Sequence, residues 1–339
     1  MGDAPAQAAR PRRTAGAFTR ISVVNLRELA LLPALVVALV IGSLTSDAFF
    51  TSQNLLTILQ QSSELAIVTV ALSVILIAGK FDLSLESTFG LAPMLAAWLM
   101  LPESVGGAGV DIPPALAIVV CLATGALVGL INGFLIVNRK LNAFVVTLAM
   151  LILLRGLDLG ITNGATLYDF PAAFTYLGTA EWFGVPVSIF VAIVVATAVG
   201  TFLRYHRLGR AVYAIGGNPD AARAAGIPVE KVLWATFIVG GLLAALAGLM
   251  LSGRIASTTA DQGRNLIFTV FAAATIGGIS LDGGRGRILG AMTGVLLLGV
   301  ISNILTLSQV PSFWIDAVFG AVILAALILA KLTGEQPEQ

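Results

Sequence analysis

Cysteine, histidine and charged residues are all scarce in this sequence. One cysteine (Cys121) and one histidine (His206) occur among 339 residues, which excludes a disulfide-stapled fold and leaves no cluster of typical metal ligands. Charged residues make up 11%, against roughly 25% in soluble domains. So few charges cannot cover the surface of a soluble protein of this size. The net charge of +1 gives no indication of nucleic-acid binding.

Catalytic and nucleotide-binding motifs are missing as well. No nucleophile stands in a recognisable pattern with a base, and the Gly-x-x-x-x-Gly-Lys-Ser/Thr loop does not occur. Gly79-Lys80 is followed by Phe81 and lacks the earlier glycine. We therefore expect that the chain is not an enzyme and that it binds neither a cofactor nor a metal itself.

Apolar residues are abundant, at 58%, and they form long runs. A bilayer core of about 30 Å needs roughly 17–25 apolar residues per helix. Most runs are apolar on every face, unlike the alternating segments of about ten residues in a β-barrel. The sequence predicts an all-α polytopic bundle of about ten transmembrane helices, of which the second and eighth are short and end at glycines. The predicted spans are Leu29–Leu44, Leu65–Ala78, Leu85–Leu101, Pro114–Val137, Phe144–Ile161, Val185–Leu203, Val232–Leu251, Ile267–Ile279, Leu289–Leu307 and Phe313–Ala330.

The positions of lysine and arginine predict the orientation of this bundle. With the N-terminus in the cytoplasm, all but three of the 19 basic residues fall on the inner side, as the positive-inside rule requires. The exceptions are Arg254 and Arg264 in outer loops and Arg155 within a span. We predict a multi-pass protein of the bacterial plasma membrane with both termini in the cytoplasm.

Three regions divide the chain by composition. Residues 1–28 have four early arginines and no apolar core near the start, so they predict a disordered cytoplasmic tail rather than a cleaved signal peptide. Residues 29–331 form the predicted transmembrane domain, and 332–339 a second cytoplasmic tail.

Glycines recur at helical spacing within several spans. Small residues allow close approach of helices in lipid, where burial of apolar surface gives little driving force. Tight, locally irregular packing is therefore expected. The glycines concerned are Gly125, Gly129, Gly133, Gly240, Gly241, Gly248, Gly290 and Gly294.

The long predicted cytoplasmic loop 204–231 contains start and stop signals for a short helix. Asn218 is a good N-cap, Pro219 suits the first helical position, and the charge of Asp220 complements the helix dipole. Gly226 fits the left-handed position after the last turn. A helix of about two turns, roughly 10 Å long, is not stable alone, so the segment must be held by a partner surface or by the helix ends beneath it. The functional interpretation is a docking element for another protein, and the alternative is a turn that only joins two helices. The residues of this segment are Asn218, Pro219, Asp220, Ala221, Ala222, Arg223, Ala224, Ala225 and Gly226.

The stretch from Leu208 to Ile227 resembles the coupling loop of permease subunits of sugar-type ABC importers, such as ribose, xylose and galactose permeases. The run Gly277 to Arg287 is similar to a second motif of that family. Weaker matches are Asn132-Gly133-Phe134-Leu135, Thr147-Leu148, Arg155-Gly156 and Asp82-Leu83-Ser84.

The sequence departs from the family pattern at two places. Lys80 and Glu86 stand where sugar permeases commonly have glycines. Ile267 and Thr269 stand where the family tends to carry acidic residues before the eighth span.

The resemblance implies a fold like that of type II ABC importers and a set of partners. These are a second permease, identical or paralogous, and two cytoplasmic ATPase subunits or one tandem ATPase that hold ATP and magnesium. An extracytoplasmic binding protein would deliver a monosaccharide or related polyol to the permease in the lipid bilayer. The coupling residues Asn218 to Gly226 would contact the ATPase.

Polar residues within the spans suggest a transport pathway. Arg155 and Asp158 lie three residues apart, close enough to pair on one helix face. They are either a structural pair or part of a polar pathway with Asn132, Thr269 and Asn303. Two alternatives to an ABC permease remain at this point: an ion-coupled secondary transporter of a small polar solute, and a membrane scaffold without a transport role.

Overall fold

The computed structural model describes residues 22–311, 314–315, 317–321 and 324, with side chains from residue 31 onward. Nearly all regular structure in this part is helical. The helices are α1 (Ser22–Thr45), α2 (Ser52–Ile77), α3 (Leu85–Met100), α4 (Pro114–Gly133), α5 (Ala143–Thr162), α6 (Ala172–Thr179), α7 (Val187–Tyr205), α8 (Arg207–Gly217), α9 (Pro219–Ala224), α10 (Val229–Ile255), α11 (Leu266–Ile276) and α12 (Ile288–Leu307).

Each of the first nine predicted spans overlaps a helix. Within the described residues six helices are long and apolar enough to cross a membrane: α2, α4, α5, α7, α10 and α12. The apolar part of α1 and the helices α3 and α11 are shorter. The tenth predicted span, Phe313–Ala330, falls partly outside the described residues. The chain is therefore a polytopic helical membrane protein, as predicted, while the count of ten stays a prediction.

Helices α2 and α10 form the centre of the bundle. Most residues of both are buried, and α10 packs against α2, α3, α4 and α6. The helices α4, α5 and α7 bury far less of their apolar surface. A helix that stays apolar on its exposed side is suited to lipid contact.

Glycines allow α4 and α10 to pack closely, which confirms the predicted role of this residue type. A Cβ atom on Gly125 would collide with the carbonyl oxygen of Gly241, and one on Gly129 with that of Phe237. Two turns further along α10, Gly248 lies against the backbone of Phe89 in α3. Larger residues at these positions would force the helix axes apart.

The second span is longer than predicted. Helix α2 begins at Ser52, capped by the Thr51 side chain, and not near Leu65. The first half of α2 is too polar to be recognised as part of a membrane span from its hydropathy. Its polar side chains nevertheless form hydrogen bonds and ion pairs with other parts of the fold. Gln60 donates to the carbonyl oxygen of Gly178, and Glu64 pairs with Arg254. The short eighth span is confirmed, because α11 has 11 residues.

Helix α1 begins at Ser22, so the last residues assigned to the N-terminal tail are helical. Residues 1–21 and 325–339, which include both predicted tails for the most part, lie outside the described residues.

Short strands occur on the side of the bundle opposite α8 and α9. The strand β1 (Leu167–Tyr168) pairs with β4 (Ser257–Thr258), and β2 (Glu181–Trp182) pairs with β3 (Val185–Pro186), both antiparallel. The β1–β4 pair ties the segment after α5 to the end of α10. Strands of two residues give no pattern that a sequence reading could detect.

Candidate functional site

The predicted capped helix is present in the loop between α7 and α10. The Asn218 side chain accepts hydrogen bonds from the backbone N–H groups of Asp220 and Ala221, at 3.0 and 2.9 Å. Pro219 occupies the first position of α9, and Gly226 has a φ of +79°. These local signals were sufficient to predict the helix, because capping depends on near neighbours.

A second helix, α8, precedes α9 and was not predicted. Its buried face consists of Gly209, Ala211, Val212 and Ile215. The His206 side chain caps this helix by accepting from the N–H group of Leu208 at 3.2 Å. The predicted loop is thus a pair of helices, α8 and α9, that lies on the ends of the membrane helices.

The α8–α9 pair makes close backbone contacts with two other segments. A Cβ on Gly216 would collide with the carbonyl oxygen of Ile77 at the end of α2 and would come within 2.5 Å of the nitrogen of Gly284. Gly284 also donates its N–H to the Ile77 oxygen at 2.8 Å. The Tyr213 hydroxyl donates to the carbonyl oxygen of Gly286 at 2.9 Å. We call this meeting of α2, α8 and the 277–287 loop the glycine junction.

The surface of α9 divides into a buried residue and an exposed face. Ala222 is 4% exposed and packs into the core. Ala221, Ala224 and Ala225 are exposed. Arg223 forms ion pairs with Glu230 at 2.7 Å and with Asp220 at 3.3 Å, and the hydrogen bond and charge of Glu230 raise the pKa of Arg223. A small, flat face of alanines is therefore presented outward, with one arginine fixed beside it.

Asn132 belongs to a buried hydrogen-bond network with Asp82 and Ser84. Its side-chain amide donates to the Ser84 hydroxyl at 2.8 Å and to Asp82 at 3.2 Å. Asp82 also accepts from the N–H and the hydroxyl of Ser84, at 2.9 and 2.6 Å. The network links α4 to the loop before α3 and gives Asp82 a structural role in that turn.

Arg155 forms an ion pair with Glu86. The structural Arg155–Asp158 pair, one of the two alternatives that the sequence left open, is not found among the ion pairs of the described residues. The Arg155 Nη2 atom lies 2.6 Å from Glu86 Oε1, and Glu86 Oε2 accepts from the N–H of Ile267 at 3.1 Å. Glu86 is in the first turn of α3 and Ile267 in that of α11, so two helix N-termini favour its negative charge. Arg155 turns to this carboxylate on another helix, and the Asp158 Oδ1 atom is buried without a hydrogen-bond partner in the described structure.

Two of the residues that depart from the family pattern are in direct contact. Glu86 stands in place of a glycine, and Ile267 in place of an acid, and they are joined by a hydrogen bond. A carboxylate does lie at the N-terminus of α11, but α3 provides it.

A cavity of about 260 Å³ opens on the side opposite α9, between α2, α10 and α11. Its polar wall includes Gln61, Glu64, Arg254, Asn265 and Thr269. Glu64 is 4% exposed and accepts from the Arg254 Nε atom at 2.8 Å. The cavity thus offers hydroxyl, amide and charged groups, which is the set of donors and acceptors that a polyhydroxylated molecule can use.

The structure does not bring the five predicted pathway residues into one site. Thr269 alone among them lines the cavity. Asn303 exchanges side-chain hydrogen bonds with Asn54, at 2.8 and 3.0 Å, while Asn132, Arg155 and Asp158 are placed as described above. Their role in a pathway stays a prediction. Glu64 and Arg254 were missed, because they lie 190 residues apart in the sequence. Among the described residues no group of three or more histidine, cysteine, aspartate or glutamate side chains could hold a metal ion.

Comparison with known proteins connects this arrangement to a family of transporters. Residues 54–327 match the family model described as branched-chain amino acid transport system / permease component. The chain is 35% identical to the ribose import permease protein of Escherichia coli strain K12 over 308 residues, which cover 90% of this chain and 94% of the relative.

Two further relatives from Escherichia coli strain K12 are similar over almost their full length. The xylose transport system permease protein is 30% identical, with 94% of this chain and 95% of the relative covered. The D-allose transport system permease protein is 34% identical, with 88% and 89% covered. The chain therefore belongs to the family of ABC importer permeases that includes the ribose, xylose and allose permeases.

Proposed function

We propose that this chain is the transmembrane permease subunit of an ATP-driven importer of a monosaccharide or related polyol. The observation that carries the proposal is its similarity, at 30–35% identity over nearly the full length, to permeases named for ribose, xylose and allose. The cavity beside Glu64 and Arg254 supports a polyhydroxylated substrate, since its polar wall combines carboxylate, guanidinium, amide and hydroxyl groups.

A second permease completes the pore in this proposal, and ATP with magnesium is held by two ATPase subunits or one tandem ATPase. An extracytoplasmic binding protein delivers the sugar on the side of the 260 Å³ cavity. The chain spans the inner membrane of a bacterium, and both termini and the α8–α9 pair lie on its cytoplasmic side. The excess of basic residues on that side supports this orientation.

The α8–α9 pair is the proposed contact with the ATPase. Its exposed alanines suit a shallow groove on a partner, and the glycine junction gives the pair direct contact with α2 and the 277–287 loop. Packed elements that touch backbone to backbone move together, because there are no flexible side chains between them to absorb a shift. Closing of the ATPase subunits would thus be passed to the membrane helices through Gly216.

The experiment is co-purification of the ATPase with variants of the exposed face. Ala221→Trp combined with Ala224→Trp places two bulky groups where docking requires small ones, and we expect loss of the ATPase and of ATP-driven sugar uptake. Ala165→Trp, at an exposed alanine on the opposite side, is the matched control and should retain both. Ala222 is unsuitable for this purpose because it is buried.

Normal ATPase binding by the double variant would overturn the proposed docking surface. Uptake in proteoliposomes with the purified binding protein tests the cargo separately. Uptake driven by an ion gradient without ATP would contradict the importer mechanism, and uptake of a branched-chain amino acid in place of any sugar would contradict the substrate class.

A further inference from the structure

A short hairpin on the side of the bundle opposite α8 and α9 carries a fully exposed aromatic residue at its tip. The strands β2 and β3 form the hairpin, and Phe183 and Gly184 make the two-residue turn between them. The whole surface of the Phe183 side chain is exposed, and so is about half of the surface of Trp182 before it. Two large apolar rings therefore protrude side by side from the bundle.

The turn of this hairpin is an unusual place for a phenylalanine. Phe183 has a φ of +56° and Gly184 a φ of +76°, and two successive positive φ values are typical of a type I′ turn. Asn-Gly and Asp-Gly are the common pairs there, because a bulky side chain fits the left-handed conformation poorly. Since the Phe183 ring is fully exposed, no packing against the described residues offsets this conformation. Neither the turn nor the core therefore explains the aromatic ring.

The hairpin lies at one end of a membrane helix. Helix α7 begins at Val187, directly after β3, and the N–H of Val187 donates to the carbonyl oxygen of Ala180 at 2.9 Å, which ties the base of the hairpin to the helix. Helix α7 is apolar enough to cross a membrane, and its 19 residues give a length of about 28 Å. This length matches a hydrocarbon core of about 30 Å. The hairpin at one end and Arg204 at the other therefore lie near the two surfaces of the bilayer.

The Trp182 ring extends an exposed apolar stripe of α7. It packs against the ring of Phe190, with the two centroids 5.8 Å apart. Phe190 is followed at helical spacing by Ile193 and Val194, which are 58% and 65% exposed, so this stripe is suited to lipid contact. The Trp182 indole N–H donates to the Tyr176 hydroxyl at 3.0 Å, which holds the ring in place with its polar group satisfied. The apolar surface of α7 thus continues onto the hairpin.

We propose that the β2–β3 hairpin is an anchor in the membrane interface, with the Phe183 ring inserted between the phospholipid headgroups and the upper part of the acyl chains. Aromatic side chains are favoured at this depth, where an apolar ring leaves water. Glu181 is the one charged residue of the hairpin, and its side chain lies on the other face from Trp182, because neighbours along a strand alternate. The anchor fixes the depth of the end of α7 that is remote from α8. The proposal depends neither on the transported substrate nor on the ATPase.

The first test measures the depth of the hairpin tip with a nitroxide spin label on Phe183→Cys. The purified full chain is labelled while the buried Cys121 is inaccessible, and it is reconstituted in vesicles of phosphatidylethanolamine and phosphatidylglycerol. Electron paramagnetic resonance compares the collisions of the label with oxygen, which concentrates in lipid, and with a water-soluble nickel complex. Ser104→Cys, exposed between α3 and α4, is the reference in water, and Ile193→Cys on α7 is the reference in the hydrocarbon core. We expect the label at position 183 to lie between the two references and to be shielded from nickel.

The second test separates anchoring from turn formation. Phe183→Asn removes the ring but suits a type I′ turn better, whereas Phe183→Trp keeps a ring that suits the interface. Hydrogen exchange of the backbone N–H groups of the hairpin, in the same vesicles, reports its opening. We expect exchange in Phe183→Asn to be about tenfold faster than in the wild type, the lower end of the effect of returning one aromatic ring to water, and exchange in Phe183→Trp to be unchanged. A hairpin held only by its turn would exchange more slowly in Phe183→Asn.

Three results would overturn the proposal. One is a label at position 183 that collides with nickel as often as the label at position 104. Another is shielding that appears only when the purified binding protein is added, or that comes with spin–spin broadening between two labelled copies, since either would assign the tip to a protein contact. The third is exchange in Phe183→Asn that is equal to or slower than in the wild type. Thermal melting followed by circular dichroism verifies that each variant is folded.

Discussion

The Glu86 carboxylate joins three helices, and its removal should destabilise the bundle strongly. It is 3% exposed and contacts Arg155 on α5 and the N–H of Ile267 on α11. Glu86→Gln keeps the size of the side chain but leaves the arginine without its counter-charge. We expect this variant to unfold at a clearly lower temperature than the wild type.

The magnitude follows from the burial of the pair. Removing one partner of a fully buried pair costs about 3–5 kcal/mol, because an uncompensated charge remains. The Arg155 side chain is 25% exposed, so solvent screens part of the unpaired charge, and we expect a cost below that range, about 2–3 kcal/mol. Replacing both partners, as Glu86→Gln with Arg155→Met, should recover a large part of this loss, since no unpaired charge is left.

The single cysteine provides the assay. Cys121 is fully buried, with its Sγ atom 3.6 Å from the carbonyl oxygen of Ala245 between α4 and α10. Labelling by a thiol-reactive dye during heating reports the opening of that interface. Asp261→Asn, which breaks the exposed pair with Arg264 at 3.9 Å, is the control and should cost less than about 1 kcal/mol. A melting temperature of Glu86→Gln equal to that of the wild type would disprove the stabilising role of this ion pair. So would a melting temperature of the double variant below that of Glu86→Gln.

Three further predictions concern packing, coupling and the cavity. Gly129→Leu should abolish stable assembly, because a side chain there would collide with the backbone of Phe237. Gly156→Leu is the control and should be purified in normal yield, because a Cβ there meets nothing within 4 Å. Equal yields of the two variants would contradict the close packing at Gly129. Gly216→Ala should uncouple ATP hydrolysis from sugar uptake. Gly217→Ala, whose Cβ meets nothing within 4 Å, should leave hydrolysis and uptake intact. Identical behaviour of the two variants would disprove transmission through the glycine junction. Thr269→Val should reduce uptake several-fold without changing the melting temperature, and unchanged uptake would remove Thr269 from the pathway.

The features that could be predicted from the sequence depend on near neighbours or on average composition. Hydropathy located most membrane helices, and the cap at Asn218 and the turn at Gly226 followed from residues within one or two turns. The glycine spacing in α4 predicted close packing in the same way. Each of these signals is contained in a short window of the chain.

The remaining features depend on tertiary contacts between distant residues. Arg155 pairs with Glu86, 69 residues away in the sequence, and not with Asp158 on its own helix. The Glu86 carboxylate is favoured because it lies where two helix N-termini meet. The polar first half of α2 is stable within the fold because distant groups pair with its polar side chains, as Arg254 does with Glu64. Helix α8 was missed because its amphipathic face is short and interrupted by glycines, and its buried side is defined by the membrane helices beneath it.

Whether the exposed α9 face docks on the ATPase can be measured with a photo-crosslinking amino acid at position 224, in place of Ala224. In the assembled transporter we expect an adduct between position 224 and the ATPase chain, and none from a crosslinker at Ala165. An adduct of position 224 with the binding protein, or with no protein while the ATPase is bound and active, would contradict it.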